Sequence, residues 1–523
     1  MQRKVSFVVA LIGLSGWVVP AAWADVKPNG LFTDNMVLQR GVKAPIWGTA
    51  DEGEEITVQF RDQKATTTAN KGRWQVRIDT GDAGGPFPLT VSGKNTIELK
   101  NVLVGEVWIA SGQSNMWWPL KLTADAEKMA ASSTNNQLRL FTVPMRSSIR
   151  PARNVQGQWS ECGPKTVTDF SAVAYYFGRD LQKALGVPVG VIHTSVGGTP
   201  AESWTSKRAL EANPDLKGMA DVVTRAAEEY PKAADKYLAD LEKYVADARK
   251  ARSEGKDLPK APAQPTNPAT GFGAPTVLYN GMIRPLIPYA IKGAIWYQGE
   301  SNAGRAHQYQ TLFPAMIKNW REDWKQNDDF PFLFVQLAPF MKIKPEPGDS
   351  TWAELREAQR LTLSMPKTGM AVITDVGDEK DIHPPQKEPV GARLALAARA
   401  IAYGEKIEYA GPTYDSMKVE DKKVVLTFKN VGRGLVAKGD DLTGFTIAGE
   451  DRKFHRAKAE IQENRVLVWS DEVEKPVAVR FGWADYPVVN LWNKDGLPAS
   501  PFRTDDFRLT TAPRKTETRA RSQ

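Results

Sequence analysis

The chain has 523 residues, 41% of them hydrophobic and 25% charged, with no low-complexity tract. Because one domain usually holds about 100–200 residues, this length predicts several packed units rather than a single core. The single cysteine, Cys162, excludes an intrachain disulfide framework, and the formal net charge of +8 raises the question of an anionic partner.

The N-terminus predicts export. Arg3 and Lys4 precede an apolar run that ends in the A-x-A site Ala22-Trp23-Ala24. This pattern is typical of a secretory signal peptide over residues 1–24, with a mature chain that begins at Asp25 in the periplasm or outside the cell. No other stretch approaches the roughly 20 apolar residues of a membrane span, so no span is expected.

The two ends of the chain carry most of the positive charge. The signal peptide and the basic tail over residues 513–523 together hold five of the eight net charges. Little electrostatic footprint is left on the folded body, so we expect a flexible tail and no nucleic-acid partner.

Residues 25–100 read as short strands separated by turns. Runs such as EEITVQF, RWQVRI and NTIELKNV are rich in β-branched residues, with Gly, Asp, Asn and Lys between them. Their regular spacing predicts an all-β, sandwich-like module.

Residues 101–404 show a different pattern of apolar and polar residues. Continuous apolar runs such as VPVGVIHTS, IKGAIWYQ and FPFLFVQLA alternate with amphipathic helical segments. This pattern predicts an α/β domain with a parallel sheet covered on both faces. An Ala-, Glu- and Lys-rich stretch ending in a Pro/Gly-rich loop, residues 206–276, reads as a helical insertion. The strand pattern returns over residues 405–512 as a C-terminal β module.

Ser114 stands in the turn SGQSNM, directly after the predicted strand EVWIAS. Functional residues of parallel sheets gather at the carboxyl ends of strands, so this serine could be a nucleophile or a plain loop residue. The chain lacks G-x-S-x-G at this point, which argues against the usual α/β-hydrolase elbow. A serine hydroxyl also needs a positioned base.

Four histidines are candidates for that base. His193 lies within a predicted strand, His307 starts a predicted helix, and His455 lies in the C-terminal module. His383 differs, because it stands in an irregular loop stiffened by two prolines. Asp381, two residues earlier, could accept its ring N–H and fix the tautomer.

Two further strand ends offer donors for an oxyanion. Gly197-Gly198 follows one predicted strand, and the block from Gln298 to Asn302 follows another. Backbone amides of glycine can approach a ligand closely. Each segment could also be a turn, but together they concentrate polar, glycine-bearing loops at the strand ends of one sheet.

The blocks GQSN, SVGGTPAESW, WYQGESNA and DIHP resemble those of the SGNH/GDSL hydrolase superfamily, and specifically the sialate O-acetylesterase-like carbohydrate esterases. The stretch LFTDNMVLQRGVKAPIWGTA resembles that family's N-terminal β module. The resemblance implies an SGNH-type three-layer α/β/α domain flanked by β modules.

The resemblance also implies site roles. Ser114 would be the nucleophile and His383 the general base, with the amides of Ser114 and Gly198 and the side chain of Gln298 forming the oxyanion hole. Block three reads QGESN where the superfamily has G-x-N-D, so Asn302 is an alternative donor.

The acid behind the histidine departs from the superfamily pattern. The superfamily uses Asp-x-x-His, but Lys380 occupies that position here. We therefore expect Asp381 to orient His383, with Asp378 and Asp375 as alternatives.

An exported acetylesterase acting on an acetylated glycan is the function that the resemblance implies, with sialic acid or xylan and xyloglucan as the sugar. Tryptophan faces stack on sugar rings, and Trp117 and Trp118, with Asn302, are expected to line the substrate. Trp204 and Trp296 could line it or fill the core. No metal or cofactor is expected. The alternatives are an esterase for small acyl or aryl esters and a non-catalytic carbohydrate-binding protein.

Overall fold

A computed structural model describes residues 25–267, 270–326 and 329–513 of the chain. The predicted signal peptide and all of the predicted tail beyond residue 513 lie outside these ranges. The described residues form a mixed α/β structure with several sheets. Within them, no helix is both long and apolar enough to cross a membrane.

The N-terminal strands alternate inward and outward side chains. In the strand Arg73–Asp79, for example, Trp74, Val76 and Ile78 are buried and the residues between them are exposed, as expected for strands with one face on a core. The strands are β1 (Lys27–Pro28), β2 (Val37–Gln39), β3 (Lys43–Thr49), β4 (Glu55–Phe60), β5 (Gln63–Thr68), β6 (Arg73–Asp79) and β7 (Gly84–Ser92).

Strand β8 (Thr96–Gly112) connects two parts of the fold. Its first half pairs antiparallel with β7, and its second half lies inside a parallel sheet. The strand therefore runs through the domain boundary predicted at residue 100. One apolar core likewise extends from Val26 in the N-terminal strands to Ala398, so no break between sheets marks that boundary.

The parallel sheet brings three strand ends level with one another. Its order is β10-β9-β11-β8-β12-β13-β14, with β10 antiparallel to its neighbour. Gly112 at the end of β8 lies opposite Ser195 on one side and Tyr297 on the other. The added strands are β9 (Asn135–Thr142), β10 (Ser160–Cys162), β11 (Val189–Ser195), β12 (Gly293–Tyr297), β13 (Phe332–Val335) and β14 (Thr368–Ala371).

Helices pack against this sheet through large aromatic side chains. Trp108 of β8 contacts Phe177, and Trp296 of β12 contacts Phe313 and Trp320. The helices are α1 (Ser114–Trp117), α2 (Ala126–Ala131), α3 (Pro164–Val167), α4 (Ala172–Leu185), α5 (Lys207–Glu211), α6 (Lys217–Ser253), α7 (Ala306–Trp324), α8 (Thr351–Leu361) and α9 (Glu388–Tyr403). Helix α6 accounts for 37 residues of the stretch read as a helical insertion.

The C-terminal strands enclose a second apolar core. They form two four-stranded sheets, ordered β15-β16-β21-β20 and β19-β18-β22-β24, and a β17-β23 pair. The strands are β15 (Thr413–Glu420), β16 (Lys423–Lys429), β17 (Leu435–Ala437), β18 (Phe445–Ala448), β19 (Phe454–Arg456), β20 (Lys458–Gln462), β21 (Arg465–Trp469), β22 (Ala478–Phe481), β23 (Leu491–Asn493) and β24 (Phe502–Arg503).

Candidate active site

The turn that carries Ser114 is held by both neighbouring strands. The amide of Gln113 donates to the carbonyl of Tyr297 on β12, and the carbonyl of Gly112 accepts from Val196 after β11. Gly112 has φ +143°, and a Cβ there would lie 2.1 Å from the Tyr297 oxygen. Only glycine fits this crossing, which places Ser114 at the edge where the strands end.

Ser114 and His383 meet across 269 residues of sequence. The Ser114 Oγ lies 2.8 Å from the His383 Nε2. Ser114 and His383 are both half-buried, so the pair is reachable from solvent. A hydroxyl at this distance from an imidazole nitrogen can transfer its proton to that nitrogen as it attacks a carbonyl carbon.

Of the three carboxylates considered for the histidine, Asp381 is the one that contacts it. The Asp381 Oδ1 lies 3.3 Å from the His383 Nδ1 and accepts the His383 backbone N–H at 2.8 Å. Asp378 instead accepts the amides of Lys380 and Asp381. Asp375 forms two hydrogen bonds to Arg393, at 2.6 and 2.7 Å. The carboxylate of Asp381 is 57% exposed, so water screens its charge.

The other three histidines lie apart from Ser114. His193 is buried and pairs with Ser195 at 2.6 Å, and burial lowers its pKa to about 4. The amide of His307 donates to Thr511, and the ring of His455 contacts Glu472 in the C-terminal sheets.

Trp118 supports the ring of His383. The two rings stack at 4.7 Å with an angle of 14° between their planes, and the Trp118 indole N–H donates to the carbonyl of Leu122. Partial burial lowers the pKa of His383 below its ordinary 6.5, and the nearby cation of Lys387 lowers it further, while Asp381 opposes both effects. The imidazole is therefore held in the neutral form that accepts a proton near neutral pH.

The glycines after β11 border the nucleophile. A Cβ on Gly197 would lie 3.4 Å from the Ser114 Cβ, so the backbone passes directly beside the serine. Gly198 has φ +70° and is exposed, with open space where a Cβ would stand. Gly197 therefore borders the nucleophile, and Gly198 lies in the open part of the same loop.

Gln298 does not fit the role of side-chain oxyanion donor that the sequence predicts. It is fully buried, and its Nε2 already donates to the carbonyl of Thr199 and to Asn302 Oδ1. Its Oε1 accepts from the Tyr309 hydroxyl. Both amide hydrogens are used inside the protein, so none is left to meet an acyl oxygen.

Asn302 also differs from its prediction as a substrate-lining residue and alternative donor. It is 1% exposed. Its Nδ2 donates to Glu202, and its Oδ1 accepts from Ala201 and Gln298. The side-chain amide of Asn302 therefore connects the segment after β11, which contains Ala201 and Glu202, to the turn after β12, which contains Gln298.

The four tryptophans beside the motifs divide into two groups. Trp204 and Trp296 are fully buried and contact each other in the core. Trp117 is 39% exposed, and Trp118 covers the histidine. Only the second pair lies where a substrate could reach it.

Three residues to which the sequence motifs assign no role lie directly behind the Ser114–His383 pair. Asn115 and Glu300 stand inside quoted motifs, and their side chains are hydrogen-bonded to each other at 2.7 Å. Lys387 is 1% exposed and donates to Asn115 Oδ1. Motif membership could have pointed to the first two. Nothing in PQKEPV marks Lys387 as buried.

A serine hydroxyl bonded to an imidazole, with a carboxylate on the other ring nitrogen and an open glycine loop alongside, is an arrangement suited to ester cleavage. The fold and the site together define the class of ester hydrolases.

Comparisons with known proteins agree with this class. Residues 269–399 match the model of the family described as carbohydrate esterase, sialic acid-specific acetylesterase. The sialate O-acetylesterase of Rattus norvegicus is 30% identical over 90% of this chain and 93% of its own length. The human sialate O-acetylesterase is 29% identical, over 93% of this chain and 95% of its own.

A solved structure adds to these relatives. The carbohydrate acetylesterase of Xanthomonas citri is 38% identical, with a TM-score of 0.79 over 92% of this chain and all of that one. The chain therefore belongs to the sialate O-acetylesterase-like carbohydrate esterases, and carbohydrate acetylesterase is its activity class.

Proposed function

We propose that the protein is an exported O-acetylesterase that removes acetyl groups from sialic acid or from plant polysaccharides such as xylan and xyloglucan, by way of an acetyl-serine intermediate. The observation that carries this proposal is the 2.8 Å contact between Ser114 Oγ and His383 Nε2. Sialic acid is suggested by the names of the relatives, and the plant polysaccharides by the resemblance of the motifs.

The reaction begins with proton transfer. His383 Nε2 takes the Ser114 proton as Oγ attacks the acetyl carbonyl carbon, and the C–O bond to the sugar breaks as the sugar oxygen receives that proton. Water then attacks the acetyl-serine, His383 takes its proton, and acetate leaves Ser114 with its hydroxyl restored. Asp381 faces the other ring nitrogen throughout and favours the tautomer that accepts at Nε2.

Backbone amides are the proposed donors to the oxyanion. Ser114 is the first residue of α1, and the first amides of a helix have no acceptor within it. Gly198 follows the neighbouring strand β11, is exposed, and has open space where a Cβ would stand. We assign the oxyanion to these two amides, since the side chain of Gln298 is occupied.

The layering of the catalytic domain belongs to the same proposal. Trp108 packs on α4, and Trp296, which points to the other face by strand alternation, packs on α7. These contacts support an SGNH-type three-layer α/β/α domain.

Export rests on the N-terminal sequence alone. We expect protein recovered from the periplasm or medium to begin at Asp25 by N-terminal sequencing. An unprocessed chain beginning at Met1 would overturn it.

The substrate test is acetyl loss measured by mass spectrometry across acetylated sialic acids, xylan and xyloglucan oligosaccharides. Wild type is expected to deacetylate at least one of these glycans, and Ser114→Ala none.

Trp117→Ala is expected to deacetylate that glycan more slowly while keeping its rate on p-nitrophenyl acetate. Cleavage of p-nitrophenyl acetate with no glycan deacetylated would point to a small-ester esterase. Glycan binding with no ester cleaved would point to a carbohydrate-binding protein.

A further inference from the structure

A polar cluster without an assigned role lies behind the Ser114–His383 pair. It consists of Asn115, Glu300 and Lys387, which come from three separate segments: the nucleophile turn, the turn after β12 and the start of α9. Asn115 and Lys387 are each 1% exposed. Polar groups so deeply buried are costly unless they are bonded, so their contacts need a reason.

Asn115 is the centre of the cluster. Its Nδ2 donates to Glu300 Oε1 at 2.7 Å and to the carbonyl of Ile382 at 3.0 Å. Its Oδ1 accepts from Lys387 Nζ at 2.5 Å. Asn115 directly follows Ser114, and Ile382 directly precedes His383. One side chain thus joins the backbone next to the nucleophile to the backbone next to the base.

Lys387 lies near the ring that supports the base. Its Nζ is 5.7 Å from the centre of the Trp118 ring and 5.7 Å from that of Tyr297, and Trp118 is the ring stacked on His383. The titratable groups that face Lys387 are Glu300 on the turn after β12 and Asp381 on the histidine loop. Tyr297 stays protonated, because burial raises its pKa.

Glu300 has one carboxylate oxygen to spare. Its Oε2 is enclosed and has no hydrogen-bond partner among the described residues, and burial raises the pKa of this carboxyl. The oxygen that acts in the cluster is therefore Oε1, which accepts from Asn115.

We propose that Asn115, Glu300 and Lys387 form a positioning network for the esterase reaction. It holds the nucleophile turn and the histidine loop at bonding distance, and it places Lys387 behind the Trp118 ring that stacks on His383. The inference rests on the proposed roles of Ser114 and His383. None of the three residues touches the reacting atoms.

The charge states agree with this role. Burial lowers the pKa of Lys387 to about 7, against the opposing effects of Glu300 and Asp381. The pKa of His383 lies below 6.5. While Lys387 is protonated, its charge disfavours a second cation nearby, so it acts on His383 in the same direction as partial burial.

The first test is Lys387→Met, which replaces the charged side chain with an unbranched apolar one of similar size. Without the cation the pKa of His383 rises, so the acid limb of the kcat/KM profile is expected to move to higher pH. We expect kcat to fall by roughly tenfold to 10²-fold with little change in KM, because small misplacement of reacting groups costs about that much.

The matched control is Lys380→Met, which removes a lysine charge from an exposed position on the histidine loop. Solvent screens that charge, so kcat and the acid limb are expected to stay at their wild-type values. A folded Lys387→Met protein with the wild-type kcat and acid limb would overturn the inference, as would an equal shift in Lys380→Met.

A pair of variants at Glu300 tests the positioning role separately and stands even if Lys387→Met fails to fold. Glu300→Ala is expected to lower kcat, and Glu300→Gln, whose Oε1 can still accept from Asn115, to recover most of it. If Glu300→Gln lowers kcat as much as Glu300→Ala, the network does not act by positioning.

Ser114→Ala is assayed alongside these variants. Retained activity in Ser114→Ala would overturn the proposed mechanism itself. An inactive Ser114→Ala protein together with unaffected network variants would overturn only this inference.

Discussion

His383 is a base whose surroundings work against its protonation. Partial burial and the cation of Lys387 both lower its pKa, and the exposed carboxylate of Asp381 only partly offsets them. A general base must be neutral to accept the serine proton, so activity is lost as pH falls through this pKa.

The pH dependence of the reaction follows with a definite sign. We expect kcat/KM on p-nitrophenyl acetate to be constant near neutral pH and to decline on acidification with a midpoint below pH 6.5, the ordinary value for histidine. A steady-state profile measures this directly. A midpoint above 6.5 would mean that the carboxylate, not burial, dominates the histidine's environment.

The acid behind the histidine is expected to matter moderately. Asp381→Asn removes the charge that faces Nδ1 and lowers kcat, but by less than the roughly 10⁴-fold seen for a buried acid, because this carboxylate is 57% exposed. Asp378→Asn is the matched control, since an amide oxygen can still accept the two backbone N–H groups that Asp378 accepts. Steady-state kinetics of both variants decide the point. Equal losses, or a silent Asp381→Asn, would assign the role to another group.

At the scale of elements, the ends of three strands make the site. The turn after β8 is hydrogen-bonded to β12 and to the loop after β11, so Ser114 takes its position from backbone contacts rather than from its own side chain. The tight point is Gly112, where the backbone of Tyr297 leaves no room for a Cβ.

Gly112→Ala is therefore expected to be severe. Strain from the positive φ and crowding against Tyr297 each cost about 1–3 kcal/mol, so we expect unfolding free energy to fall by more than ~3 kcal/mol in a denaturant titration. Gly186→Ala is the control, because Gly186 has φ +64° but open space where a Cβ would stand. It should lose only about 1–2 kcal/mol. Similar losses at both positions would show that the crossing at Gly112 is not crowded.

The strand ends explain how much of the site the sequence could predict. Apolar runs followed by polar glycine loops place Ser114 and Gly197 at one edge of a parallel sheet, and in the structure they are neighbours, since a Cβ on Gly197 would lie 3.4 Å from the Ser114 Cβ. The orientation of a buried amide is another matter. Gln298 turns inward because its partners Thr199, Asn302 and Tyr309 come from three separate segments, and no local pattern in the sequence records that meeting.

Over the whole molecule, the modules are joined by buried contacts rather than by linkers alone. Arg356 on α8 is fully buried and donates to the carbonyls of Leu337 and Ala338 near the sheet and of Ala484 and Asp485 in the C-terminal part. Burial lowers the pKa of this guanidinium to about 9. The pattern of strands predicts a C-terminal β module, but a single arginine that fastens it cannot be read from sequence.

The N-terminal strands are joined to the catalytic domain through a shared strand. Strand β8 pairs antiparallel with β7 and parallel with β11 and β12 within one eleven-stranded sheet, and one apolar core continues through both parts. The change in the pattern of apolar residues near residue 100 marks the point where β8 changes its partner strands. The strand itself continues past that point. The order of apolar and polar residues indicates which side chains are buried. It does not show that the two halves of one strand pair with different partner strands.

The most direct test of Ser114 as the nucleophile compares two serines, each hydrogen-bonded to a histidine. Ser114 contacts His383 at the open edge of the sheet, and Ser195 contacts the buried His193. We predict that Ser114→Ala abolishes acetate release from p-nitrophenyl acetate, while Ser195→Ala retains it. Undiminished turnover by a folded Ser114→Ala protein, or loss in Ser195→Ala alone, would contradict the assignment of Ser114 as the nucleophile.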